Sequence, residues 1–171
     1  MVPGLLQAAE YARQALRIWD PQVSDQQAAE YVTARLRNQA ILYDSSRTRT
    51  FEFVITEGSL RWRPGSVEAL RAQIGYLKSM MTLANVRLGV IPFAAQAPIR
   101  YMHNFNIYES DDTTFVTIET FTGLLTVVSP GNVATHRAIF DRARTEALWG
   151  DEVLTFLDHL IAELQTPSLD S

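Results

Sequence analysis

Cysteine is absent from the chain, which excludes disulfides, thiolate metal sites and cysteine nucleophiles. No apolar run approaches the roughly 20 residues of a membrane-spanning helix, and the first residues lack the basic segment and long apolar stretch of a secretory signal. Together these absences point to a cytoplasmic protein with no membrane contact. The 8 glycines are scattered, with neither a G-x-G-x-x-G nor a Walker loop to cradle a phosphate. There is no G-x-S-x-G elbow to present a nucleophilic serine. His103, His136 and His159 lie far apart, without an H-E-x-x-H or other paired spacing. His103 and Glu119 could meet across neighbouring strands, but two ligands do not make a metal site. No metal, no cofactor and no catalytic set are therefore expected. Lysine occurs once, at Lys78, and arginine supplies the other basic residues.

What is present is a chain of 171 residues with 47% hydrophobic and 20% charged residues, enough to build one domain around a real core. A single domain is expected over residues 1–165, with a frayed tail over 166–171. The net charge of −4 argues against general nucleic-acid binding by this chain. The charge is uneven: six arginines (35, 37, 47, 49, 61 and 63) face only Asp44, Glu52 and Glu57 in the segment from Arg35 to Arg63. From Asp141 to the end there are seven acids against Arg142 and Arg144. Either the two regions face each other or are simply solvated, or the basic one receives an acidic partner or ligand.

Apolar spacing predicts a first helix from about Leu5 to Ile18, ended by Asp20-Pro21. Ser24-Asp25-Gln26-Gln27 has the form of a capping box and should open a second helix reaching Leu42, with Ala28, Tyr31, Val32, Leu36, Gln39 and Ala40 on its buried side. FEFVITEGSLRW alternates like a strand, placing Phe51, Phe53 and Ile55 on one face. Pro64-Gly65-Ser66 turns into a helix burying Leu70, Ile74, Leu77 and Met81, followed by the strand VRLGVIPF. This is a βαβ unit. HNFNIYE, TTFVTIETF and LLTVVS read as an antiparallel meander. Helical pattern then runs from Val133 to Leu164, broken near Gly150. The expected fold class is mixed α/β (α+β): a single sheet with a βαβ unit and a meander, flanked by N- and C-terminal helices.

Two groups of residues stand out. The polar set Arg35, Arg37, Gln39, Glu57 and Arg61 could form a charged network near the first strand, serving either binding or structure. Aromatic residues gather around the sheet, and Trp62, Tyr101 and Tyr108 with Glu119 could line a pocket. That pocket supports an alternative reading, a stand-alone small-ligand-binding protein or enzyme. Residues 101–121 contain no Lys or Arg, which removes nucleic-acid stacking from consideration.

Several segments resemble a known family, in its order. VPGLLQAAEYAR is similar to the PGLLQT-x-x-YAR signature of actinobacterial helix-turn-helix regulators of the Xre type, including WhiJ-like, antitoxin-like members. ARLRNQ, VITEGSLRW, QIGYL and VRLGVIPF resemble further segments of the domain that follows the DNA-binding half. Asn38 stands where the family usually has a second arginine, and Gly58-Ser59 where two alanines are usual. The resemblance implies a regulatory module of a transcriptional regulator that self-associates, binds a small protein partner or senses a small-molecule effector. It further implies that DNA is reached only through an N-terminal domain outside this chain.

Overall fold

The computed structural model describes residues 1–44, 48–96, 103–120 and 122–165. Tyr101, Phe121 and the tail 166–171 lie outside the described residues. The chain is mixed α/β, with six α-helices and two small sheets among the described residues and helices toward both termini. It divides into two compact units, Met1–Phe93 with Leu148–Ser171, and Ala94–Ala147.

In the first unit, a 3-10 turn at Gly4–Leu6 precedes α1 (Ala9–Trp19). The first helix thus starts four residues later than its apolar spacing suggests, because Gln7 is extended (φ −86°, ψ 130°). The capping box forms as expected: the Ser24 hydroxyl accepts from the Gln27 amide at 3.2 Å, and the Gln27 side chain accepts from the Ser24 amide at 3.0 Å. It opens α2 (Asp25–Gln39), which tightens into a 3-10 turn at Ala40–Leu42. Leu36 and Ala40 depart from their expected place: both are exposed, since Ala28, Val32 and Gln39 define the buried stripe, Leu36 falls at its flank and Ala40 begins the 3-10 turn.

Strand β1 (Phe51–Thr56) gives way at Glu57 to a short helix α3 (Glu57–Arg61), so the expected long strand ends sooner. Ser66 caps α4 (Val67–Met80), its hydroxyl accepting from Ala69 N at 3.1 Å. Strand β2 (Val86–Ile91) then lies parallel to β1, from Phe51 opposite Val86 to Thr56 opposite Ile91. This completes the βαβ unit. The side of α4 bearing Leu70, Ile74, Leu77 and Met80 packs with Ile55, Leu88 and Val90, and α6 (Asp151–Glu163) adds Val153, Leu157 and Leu160. Each such side chain withdrawn from water contributes about 1.5–3 kcal/mol. Gly150, at φ +56°, supplies the left-handed turn before α6.

In the second unit β3 (Phe105–Glu109), β4 (Thr114–Thr120) and β5 (Gly123–Val127) form the expected meander. Helix α5 (Pro130–Glu146) begins on a proline, whose missing N–H costs nothing at that position. Val133 of α5 packs on Val116 and Ile118, bordered by Phe105, Ile107 and Val127.

The strands make two sheets rather than the single sheet expected. The reason lies at β2, where Val90 and Leu148 exchange both backbone hydrogen bonds (3.2 and 2.8 Å). Leu148 thereby takes the position beside Val90 that a further strand would need on that side of β2, and among the described residues β3, β4 and β5 pair only with one another.

Candidate functional site

The turn from Val2 to Ala8 has backbone groups that neither the 3-10 turn nor α1 can satisfy, and Val2, Leu6 and Gln7 within it are buried. Three glutamines supply the partners. Gln7 turns its own amide back to donate to the Val2 carbonyl at 2.9 Å. Gln39, at the end of α2, donates to the carbonyls of Gln7 at 2.7 Å and Gly4 at 3.2 Å, and accepts from the Tyr76 hydroxyl at 3.1 Å. Gln73, on α4, accepts from Ala8 N at 2.7 Å and donates to the Leu6 carbonyl at 2.7 Å. All three side chains are buried. Ala8 is the N-cap of α1 and has no side-chain oxygen of its own, so Gln73 caps the helix from another element.

Around this lock the neighbouring groups are equally committed. The Arg35 guanidinium lies over the Tyr31 ring at 5.0 Å and donates to its hydroxyl. It also fills the space where a side chain at position 4 would stand, so only glycine fits there without displacing it. Tyr11 is fully buried and meets Trp62 edge-on, with ring centroids 6.0 Å apart. Burial pushes the Tyr11 phenol up to about 12, and burial likewise raises Tyr76 above the ordinary tyrosine range.

A second polar group forms where β1 ends. Glu57 is buried, receiving Arg61 Nε at 2.6 Å on one oxygen and the Phe93 amide at 2.7 Å on the other. It thereby ties α3 to the chain leaving β2. Arg61 also donates to Glu163 of α6 at 2.7 Å. The hydrogen bonds to Glu163 and then Glu57 raise the Arg61 guanidinium above its ordinary range. In return, the Arg61 hydrogen bond lowers the Glu163 carboxyl below its usual 4.5.

The five polar residues singled out in the sequence therefore fall in three places. Arg35 and Gln39 belong to the N-terminal lock, and Glu57 and Arg61 to the carboxylate–guanidinium group at the end of β1. Arg37 stands on the outer face of α2, in a shallow groove of about 430 Å³ with Gln26, Ala29, Glu30, Thr33 and Ala34. The four pocket candidates are distributed as well. Trp62 packs on Tyr11 in the first unit. Tyr108, half exposed, stacks on Phe115 at 4.9 Å in the second, where Glu119 is exposed opposite Leu124. Tyr101 is outside the described residues.

His103 lies against Phe105 and His136, the two imidazoles 5.9 Å apart between centroids. Among the described residues no three His, Asp or Glu side chains gather as metal ligands would. No helix of the described residues is long and apolar enough to cross a membrane.

Gln7 and Gln73 escaped the sequence reading. The signal for Gln73 was its place in the run Leu70, Gln73, Ile74, Leu77, where an amide occupies a position of the buried helical stripe. Such an amide must have a partner inside the core.

The chain belongs to the family described as a domain of unknown function (DUF5753), whose model matches residues 1–159. No curated protein and no solved structure matches it.

Proposed function

We propose that this chain is the regulatory module of a cytoplasmic transcriptional regulator, working through self-association, a small protein partner or a small-molecule effector, and that it does not itself bind DNA. The observation that carries the reading is the convergence of the segments resembling the helix-turn-helix regulators. Gln7 and Tyr11 of VPGLLQAAEYAR, Arg35 and Gln39 of ARLRNQ, and Gln73 and Tyr76 of QIGYL meet around one turn. Glu57 and Arg61 of VITEGSLRW and Phe93 of VRLGVIPF meet around the other polar group. Their side chains hold the first unit together, which leaves recognition to the surface. The net charge of −4 agrees with a role in which another domain contacts DNA.

The test has two arms. Purified chain is mixed with duplex DNA from its own promoter region at physiological salt, and no sequence-selective mobility shift is expected. Native mass spectrometry of the same sample, before and after denaturation, is expected to show self-association or a carried effector or partner. A tight, sequence-selective shift by this chain alone would sink the proposal, as would turnover of a substrate by the purified chain.

A further inference from the structure

We infer that the outer edge of β5 is a self-association surface, where a second copy of this chain pairs antiparallel about Thr126. The inference rests on the regulatory reading above and gives its self-association a place. Strand β5 is an edge of its sheet, and no described residue pairs with its outer side. Proteins protect such an edge with a charge, a proline, a bulge or a covering loop. Here the register with β4 runs without a bulge from Val116 opposite Val127 to Thr120 opposite Gly123. From Thr120 to His136 there is no Asp, Glu, Lys or Arg, and no proline before Pro130.

The exposed side chains say where the cover belongs. Leu124, Leu125 and Val128 are 62%, 53% and 70% exposed. Leu125 is paired with Ile118 and shares the face packed by α5, whereas Leu124 points to the opposite face. A helix laid on one face would leave the other bare. A strand alongside, in the plane of the sheet, brings cross-strand side-chain contacts to both faces at once.

The sequence fits that strand to itself. Antiparallel pairing about Thr126 sets Leu124 opposite Val128 of the second copy, Leu125 opposite its Val127, and the two threonines opposite each other, a favourable cross-strand pair. No like charges meet. The interface is isologous, closing as a two-fold dimer with a six-stranded sheet. A five-residue strand gives up less than the about 800 Å² per partner of a standard stable interface, so the association is reversible, in the micromolar range or weaker.

Sedimentation of the whole chain from low micromolar to near-millimolar loading should show the 19.3 kDa monomer passing to twice that mass. The double variant Leu124→Lys/Val128→Lys sets lysines opposite each other and should stay monomeric, with an unchanged circular dichroism spectrum. Leu124→Lys/Val128→Glu sets each lysine opposite a glutamate and should recover the dimer. A wild-type monomer throughout overturns this pairing, whatever the DNA-binding arm above returns. A dimer that survives the lysine pair, or a Lys/Glu variant that stays monomeric, overturns it too. Should the lysine variant unfold, wild-type amide exchange decides: protection of residues 124–128 must rise with concentration, and unchanged protection overturns the pairing.

Discussion

The two units solve the burial problem differently. The first surrounds its parallel strand pair with helices and carries polar side chains inside, among them Gln39, Gln73 and Glu57, hydrogen-bonded to backbone and side-chain partners. The second rests on Val116, Ile118 and Val133, with its last strand largely open to solvent. Buried hydrogen-bonded networks specify one arrangement and penalise any departure from it. A thin apolar contact beside an open edge tolerates change and leaves surface for recognition. The proposed self-association accordingly falls in the second unit, while the first supplies the buried polar architecture.

The sharpest way to break that contrast is Gln73→Leu. The change keeps the volume but strands the buried Leu6 carbonyl and the partly buried Ala8 amide, at about 1–3 kcal/mol each. A stability loss of roughly 2–5 kcal/mol is expected in urea unfolding. A loss under about 1 kcal/mol would mean the lock is incidental. Val116→Ala comes next. It removes two methyl groups from a fully buried site and should cost about 2 kcal/mol. Its effect should fall on amides of 103–120 and 122–147, measured by hydrogen exchange, while those of the first unit keep their protection. Equal loosening of both units would erase the distinction.

Much of the fold was written in local signals. Ser24 and Gln27 announced a cap, Pro21 and Gly150 announced breaks, and the alternation of the three meander strands survived into the structure. The misses share a cause. The start of α1 and the separation of the sheets are decided by partners distant in sequence: Gln73 is 65 residues from Ala8, and Leu148 seals β2. No window along the chain contains those contacts. The polar candidates were legible as residue types, since Gln39, Glu57 and Arg61 do form polar groups. Their division into separate places was not, because α2 turns Arg37 outward while Gln39 faces the core.

Gly4→Ala tests the lock at its margin. The new methyl group overlaps the Arg35 guanidinium, which is the far end of a long side chain and can swing away at the cost of its Tyr31 contact. That contact is worth about 1 kcal/mol, so the substitution should cost about that much. Combined with Arg35→Ala it should cost less than the sum of the two single changes, since the displaced group is already gone. Strict additivity would show that Arg35 does not wrap the turn.

The smallest effect belongs to the Arg61–Glu163 pair. Both side chains are substantially exposed, so solvent and salt screen what the pair contributes. The Glu163 carboxyl is nevertheless held below 4.5 by the Arg61 hydrogen bond, and the direction of that shift fixes a sign. The folded chain binds the Glu163 proton less readily than the unfolded chain does. Its contribution is therefore present above the ordinary glutamate range and is lost as pH falls through the lowered value. Thermal melts of wild type and Glu163→Gln should differ at neutral pH and converge in acid, and the neutral difference should shrink with added salt. Melts that already coincide at neutral pH would mean that Arg61 commits its charge to the buried Glu57 alone, leaving α6 to be held by Val153, Leu157 and Leu160.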